Sequence, residues 1–107
     1  MSTSNVELKN RIRVPTDDLS KFCRRHHVKS LALFGSVLRD DFRPDSDIDV
    51  LIEFEPGHTT GLLKMASMEF ELSPLFENRK VDLRTPEDLS RYFRDRVLRE
   101  AVVLCRQ

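Results

Sequence analysis

The stretch that decides the fold is "SDIDVLIEFE", residues 46–55, in which an acidic beginning leads into an apolar run. The run is rich in Ile, Val and Leu, and Pro56-Gly57 ends it, a pattern that predicts a buried β-strand. Side chains alternate along a strand, so Asp47 and Asp49 point to one face and the apolar residues between and after them point to a core. Carboxylates at the start of a buried strand are costly unless their charge is compensated.

Helical and extended patterns alternate on both sides of this strand. "PTDDLSKFCRRHH" (15–27) predicts a helix with Thr16 as its cap, because acidic residues follow in the first turn and basic residues occupy the last. The other predicted elements are a strand in "VKSLALFGS" (28–36), a helix from about Thr60 to Ser73-Pro74, a strand in "RKVDLRT" (79–85), and a helix capped by Thr85 that continues to the C-terminus or gives way to a short strand at "VVLC" (102–105).

This order predicts an α/β (α+β) fold, a small mixed β-sheet with helices packed on it. About ten residues join the first two strands, which is short for a parallel crossover, so we expect that pair to be antiparallel. A chain of 107 residues favours one domain. We assign residues 16–107 to that domain and residues 1–15 to a flexible N-terminal extension.

The helix that begins near Thr60 carries apolar residues at helical spacing. Leu63, Ala66 and Phe70 are predicted to form its buried stripe. Leu62, Met65 and Met68 are interpreted as core or as a surface for a partner rather than as part of a cofactor site.

Composition excludes some classes of function. Eighteen basic residues balance eighteen acidic ones, so no overall charge attracts nucleic acid or an anionic membrane, and direct binding to nucleic acid is not expected. No apolar run approaches the roughly 20 residues that span a bilayer. Cys23 and Cys105 are far apart and form no CxxC pair, so we expect reduced thiols in a soluble, cytoplasmic protein.

A third carboxylate can join Asp47 and Asp49. In "KVDL" (80–83), Val81 and Leu83 are predicted to face the core, so Asp82 faces the opposite side, which we infer to be the side of the other two aspartates. Carboxylate oxygens are the ligands that Mg²⁺ and Mn²⁺ prefer, and a divalent cation would offset their repulsion.

Gly35-Ser36 follows the first strand and precedes a predicted helical turn. Glycine lets the backbone approach a ligand closely, and the N–H groups at the start of such a turn favour phosphate. Arg39 lies three residues further on, where it could contact a phosphate or pair with Asp40, Asp41 or Asp45. A phosphate-binding turn facing a carboxylate metal site is the arrangement of two-metal phosphoryl or nucleotidyl transfer.

The acidic stretch has two other interpretations. A calcium-binding EF-hand loop is excluded, because Val50 stands where glycine is needed and Pro56 stands where glutamate is needed. Plain surface acids at the end of a strand remain the alternative for Asp47 and Asp49 taken alone. Gly35-Ser36 and Asp82 make that alternative weaker.

The segment "GSVLRDDFRPDSDID" (35–49) places ten residues between Gly35-Ser36 and Asp47-Ile48-Asp49. This resembles the nucleotidyltransferase signature of the DNA polymerase beta superfamily. Together with the short chain and "RKVDL" (79–83), it is similar to the minimal nucleotidyltransferases, in particular the MntA-type antitoxins encoded beside HEPN-domain toxins. The resemblance covers roughly residues 16–105, and Asp40 departs from it because many members have glycine there.

The resemblance implies a Mg²⁺-dependent enzyme that transfers AMP from ATP to a tyrosine of a partner HEPN RNase toxin. Asp47 and Asp49 would bind two Mg²⁺ ions, with Mn²⁺ as the other candidate, and Asp82 would be the third ligand and the base. The nucleotide-binding residues would be Gly35, Ser36, Arg39 and Ser46.

Two alternatives stay open at this point. The chain could be a non-catalytic antitoxin that neutralises its HEPN partner by binding alone. It could also modify a small molecule, although such enzymes usually carry a further domain for the acceptor and 107 residues leave little room for one.

Overall fold

The computed structural model describes residues 5–8, 12–38, 46–58 and 60–106. Within these ranges the chain forms three α-helices and six strands, joined in places by 3₁₀ turns at Gly35–Leu38, Ser73–Phe76 and Pro86–Asp88. The elements are β1 (Asn5–Leu8), β2 (Ile12–Pro15), α1 (Thr16–Arg25), β3 (Val28–Phe34), β4 (Ile48–Phe54), α2 (Leu62–Leu72), β5 (Val81–Arg84), α3 (Arg91–Glu100) and β6 (Val102–Arg106).

The main sheet has four strands in the order β5-β4-β3-β6. β3 and β4 are antiparallel, as their short connection predicts, whereas β4 and β5 are parallel and are joined through α2. β6 adds to the free side of β3 in antiparallel orientation, so the strand predicted as one possible ending at 102–105 does form. The predicted mixed sheet covered by helices is confirmed.

Helices cover both faces of this sheet. On one face the alternating residues Ile48, Val50 and Ile52 of β4 are fully buried in the main core. On the other face Leu51 packs in a smaller cluster that includes Val97 of α3. The main core is completed from α1 by Leu19 and Phe22, and from α2 by Met68 and Leu72. The face of β4 that carries Asp49 is therefore the α3 side of the sheet.

The orientation of α2 differs from the prediction. Leu63 is 90% exposed, Phe70 is 85% exposed and Ala66 is also exposed, so the predicted buried stripe is wrong. Apolar residues on the opposite side of the helix have the same i, i+3, i+7 spacing, so periodicity does not choose between the two sides. On that opposite side Glu69 accepts a hydrogen bond of 2.8 Å from the backbone N–H of Leu83 on edge strand β5, which fixes the rotation of the helix. The residues turned toward the sheet are Met65, Met68 and Leu72.

The helix starts agree with the sequence only in part. α1 begins at Thr16, but Pro15 occupies the cap position and no side chain caps the helix. Thr85 caps the 3₁₀ turn that follows it, in a reciprocal capping box with Asp88. α3 starts later, where Ser90 Oγ accepts a hydrogen bond of 3.3 Å from the backbone N–H of Tyr92.

Two features differ from the sequence-based expectations. β1 and β2 form a separate two-stranded antiparallel sheet ahead of α1, in a region where the sequence carries no firm signal. Cys23 and Cys105 form a disulfide, so the expectation of two reduced thiols is wrong. β6 returns beside β3 and brings Cys105 under α1, which is why residues 82 positions apart can meet. As for membranes, none of the described helices is long and apolar enough to cross one.

Candidate active site

Two of the predicted acidic residues lie side by side on neighbouring strands. In the parallel pairing of β4 with β5, Asp49 is the register partner of Asp82. The residues on either side, Ile48 and Val81 among them, are buried in the main core, so both aspartates lie on the opposite face, as alternation predicts. Asp47 immediately precedes β4 and is exposed. The register brings together carboxylates that are 33 residues apart in the sequence.

Gly35 lies at the end of β3, directly beside Asp49. Phe34 is the register partner of Asp49 on β3, and Gly35 follows with a φ of 80°. A Cβ atom placed on Gly35 would lie 2.3 Å from Asp49 Oδ2 and 3.1 Å from Asp49 Cγ. The space that a side chain would occupy at residue 35 is thus filled by the carboxylate of Asp49. The predicted helical turn then forms as the 3₁₀ turn Gly35–Leu38, which contains Ser36 and is anchored by buried Val37.

Of the two remaining predicted nucleotide-binding residues, Ser46 and Arg39, the structure describes only Ser46. Ser46 immediately precedes Asp47 and is partly exposed. Arg39 lies outside the described residues, as do Asp40, Asp41 and Asp45.

Arg84 is a neighbour of the site that the sequence-based prediction missed. Its Nη2 and Nε donate hydrogen bonds to Asp82 Oδ2 at 3.1 and 3.4 Å. The hydrogen bond to Asp82 and the charge of that carboxylate raise the pKa of Arg84, and the charge of Asp49 adds to the effect. Because Arg84 lies two residues after Asp82 on β5, strand alternation alone could have placed it on the same face.

The donor set suits a hard divalent cation. Asp47, Asp49 and Asp82 offer only carboxylate oxygens, which Mg²⁺ and Mn²⁺ prefer. Gly35 leaves the Asp49 carboxylate uncovered by a side chain on that side. The larger of two described pockets, of about 430 Å³, is lined by residues from Ile52–Met65 and Thr85–Asp88 and contains none of the three aspartates. This pocket lies at the other end of β4 from the three aspartates.

Arg84 should compete with a metal ion for Asp82. We expect Arg84→Gln to bind Mn²⁺ more tightly, by up to about fivefold, in the absence of nucleotide, because an exposed ion pair of this kind contributes about 0.2–1 kcal/mol. Titration calorimetry with Mn²⁺ measures the change. Arg96→Gln is the matched control, because Arg96 also pairs with an exposed carboxylate, Glu100, at 3.4 Å but lies on α3. Unchanged or weaker Mn²⁺ binding by Arg84→Gln would contradict the expectation.

Comparison with known proteins supports the nucleotidyltransferase class that the sequence resemblance implies. The family model described as the nucleotidyltransferase domain matches residues 17–104. A Methanocaldococcus jannaschii protein provisionally named a protein adenylyltransferase is 36% identical over 78 residues, which are 73% of this chain and 81% of the relative. The protein adenylyltransferase MntA of Thermococcus cleftensis is 37% identical over 78 residues, which are 73% of this chain and 76% of the relative. The chain therefore belongs to the nucleotidyltransferase domain family, among its minimal, MntA-type members.

Solved structures have the same fold. One provisionally described as a minimal nucleotidyltransferase aligns with a TM-score of 0.64 and 38% identity, covering 81% of this chain and 86% of the other. A toxin–antitoxin crystallised with AMP-PNP aligns with a TM-score of 0.68, covering 88% of this chain and 75% of the other. Its identity of 19% makes that second likeness one of fold alone.

Proposed function

We propose that this chain is a Mg²⁺-dependent protein adenylyltransferase that transfers AMP from ATP to a tyrosine of a partner HEPN toxin. The observation that carries the proposal is the pairing of Asp49 with Asp82 across β4 and β5, with Gly35 packed against the Asp49 carboxylate. The curated relatives named above as adenylyltransferases support the class of reaction.

Each predicted site residue then has a role. Asp47 and Asp49 would hold two Mg²⁺ ions, with Mn²⁺ as the alternative, and Asp82 would be the third ligand. The bound ions would neutralise charge on the phosphates of ATP. The triphosphate lies against Gly35 and Ser36 at the 3₁₀ turn, and Arg39 and Ser46 complete the set of nucleotide-binding residues.

The chemistry is a single displacement at phosphorus. The tyrosine oxygen attacks the α-phosphorus of ATP and forms the new P–O bond, while the bond to the leaving pyrophosphate breaks. Asp82 accepts the proton of the tyrosine hydroxyl as general base. The hydrogen bonds from Arg84 hold the Asp82 side chain on the site face of β5.

Two observations support a toxin partner, a likeness of fold and an exposed apolar surface. A chain of the MntA–HepT toxin–antitoxin crystal structure shares the fold of this chain, with a TM-score of 0.60 at 18% identity. The α2 stripe, which we define as Leu63, Ala66 and Phe70, exposes apolar surface to solvent. Contiguous exposed apolar surface on a small domain is typical of a protein-binding site. We infer that the α2 stripe contacts the toxin.

The binding-only antitoxin is the second candidate, and the fold gives it a specific basis. α2 packs on the main-core face of the sheet, whereas Asp49 and Asp82 lie on the face shared with α3. Binding through α2 therefore does not require the carboxylates. A partner could be neutralised by contact even if transfer were lost.

The test uses the purified complex of this chain with the HEPN protein encoded beside it. ATP labelled in its α-phosphate is added with Mg²⁺, and the label is located by mass spectrometry of the toxin peptides. We expect AMP on a toxin tyrosine. A folded complex that leaves the toxin unlabelled would overturn protein adenylylation, and neutralisation of the toxin by that same complex would then support binding alone.

The α2 stripe gives a separate prediction. Leu63→Gln with Phe70→Gln should leave the free energy of unfolding nearly unchanged, because both side chains are already in water. Affinity for the toxin should fall about tenfold or more, as expected for apolar residues at the centre of an interface. Leu98→Gln on α3, where Leu98 is 45% exposed, is the matched control. Equal weakening by both variants, measured by biolayer interferometry, would rule out the α2 stripe as the specific contact.

A further inference from the structure

Two imidazoles and a carboxylate meet at the end of the sheet opposite to the aspartates. The ligand atoms of His27, Glu55 and His58 all lie within 4.8 Å of one another. His27 Nδ1 is 3.7 Å from Glu55 Oε1, and the two imidazole rings stack with centroids 3.9 Å apart and an interplanar angle of 15°. In the described part of the chain, this trio and not the three aspartates has the most closely gathered ligand atoms.

Two backbone hydrogen bonds hold these three residues together, one between strands and one across a turn. The N–H of Glu55 donates to the carbonyl of His27 at 2.9 Å, which extends the pairing of β3 with β4 by one more contact. The N–H of His58 donates to the carbonyl of Glu55 at 3.0 Å, with Pro56 and then Gly57 at a φ of 85° between them. This is the pattern of a type II turn, which brings its first and fourth residues close together.

His27 also has an uncommon backbone conformation. Its φ is 57°, in the left-handed region that residues other than glycine seldom adopt. That conformation turns the chain from α1 into β3 and places the imidazole over the Glu55–His58 turn. Backbone of this kind is often retained where a side chain must be presented in one direction.

The surroundings leave the trio open to an ion. The side chain of His27 is 54% exposed and that of Glu55 is 37% exposed. His27 and His58 line a pocket of about 230 Å³ that Arg25, His26 and Lys64 also line. Arg25 pairs with Glu71, and burial together with the neighbouring charge of Lys64 lowers the pKa of His26, which favours its neutral form. Lys64 is the positive group that works against a cation here.

We propose that His27, Glu55 and His58 bind one zinc ion. Two imidazole nitrogens and one carboxylate oxygen are ligands that Zn²⁺ favours, and three protein ligands leave a fourth position for water. Zinc bonds of about 2.0–2.1 Å place neighbouring ligand atoms about 3.3 Å apart, so the side chains must close by up to about 1.5 Å. This closure requires the exposed rings of His27 and His58 to rotate out of their stacked arrangement.

Zinc at this trio would join the turn before β3 to the turn after β4. It would stabilise the end of the sheet that is far from the nucleotide site, and its chemistry differs from that of the all-oxygen aspartate site. The proposal does not depend on adenylyl transfer, because no residue of the trio belongs to the proposed active site.

The experiment measures Zn²⁺ binding by calorimetry on untagged protein that carries Asp47→Asn and Asp49→Asn, so that the aspartate site contributes nothing. We expect one zinc ion per chain. His58→Ala and Glu55→Gln, each added to this background, should weaken binding roughly tenfold or more. His27→Asn should do the same while keeping the backbone, because asparagine tolerates a positive φ.

Glu53→Gln is the matched control, because Glu53 is an exposed carboxylate of β4 outside the trio. It should leave zinc binding unchanged. Co²⁺ in place of Zn²⁺ should give the visible absorption of a low-coordinate nitrogen and oxygen site, and His58→Ala should remove it. A background protein that binds no zinc, or His58→Ala and His27→Asn variants that bind it unchanged, would overturn the proposal.

Discussion

Replacing Asp47 and Asp49 together with asparagine is expected to abolish AMP transfer and to leave the fold intact. Loss of the carboxylates proposed to hold the metal should remove at least about 4 kcal/mol of transition-state stabilisation, which corresponds to roughly a 10³-fold lower rate. Asparagine has the same shape and relieves the repulsion between two like charges. We therefore expect the free energy of unfolding to change by no more than about 1 kcal/mol.

Single-turnover transfer of labelled AMP to the toxin measures this effect, and urea unfolding of the free chain measures stability. Glu53→Gln is the matched control, because Glu53 is an exposed carboxylate on the same strand and should leave transfer unchanged. A double variant that still transfers AMP at the normal rate would remove Asp47 and Asp49 from the mechanism. A double variant that still neutralises the toxin would favour the binding-only antitoxin.

Gly35→Ala is expected to lower both stability and transfer. The φ of 80° at residue 35 is unfavourable for alanine, and its Cβ would lie 2.3 Å from Asp49 Oδ2. Either the backbone of the 3₁₀ turn or the Asp49 carboxylate must move. We expect a loss of about 1–3 kcal/mol in the free energy of unfolding. Transfer should fall as well, because the displaced carboxylate is one of the proposed metal ligands.

Gly57→Ala separates the effect of backbone strain from the effect of the contact with Asp49. Gly57 has nearly the same φ, 85°, but nothing lies within 4 Å of a Cβ placed there. Its substitution should cost only the backbone strain and leave transfer unchanged. In a double-mutant cycle, Asp49→Ala should reduce the stability cost of Gly35→Ala toward that of Gly57→Ala. Equal costs for Gly35→Ala with Asp49 present and absent would show that the steric contact has no effect.

The sheet and its acidic face could be predicted because strand alternation is a local rule. Val50 and its alternate neighbours require one face of β4 to be buried, which leaves Asp49 on the other face. The same rule placed Asp82 and would also have placed Arg84. What alternation does not give is register, and the direct pairing of Asp49 with Asp82 came only from the structure.

Other features depend on contacts between distant segments. α2 is apolar on two sides, so the choice between Leu63 and Met68 as core was settled by packing and by the hydrogen bond from Leu83 to Glu69. Cys23 and Cys105 meet only because β6 returns to β3. The His27, Glu55 and His58 trio forms only when β3 pairs with β4, so no local sequence pattern predicts it.

The register of β4 with β5 has a further consequence for how this chain can change during evolution. Asp49 and Asp82 are held opposite each other by strand pairing, so their separation does not depend on the length of the segment between them. That segment contains α2 with its exposed Leu63 and Phe70. Under the proposed function, insertions and substitutions there would alter which partner is recognised while the proposed metal-binding carboxylates stay in place. Inheritance of the proposed reaction and diversification of its acceptor could then proceed independently.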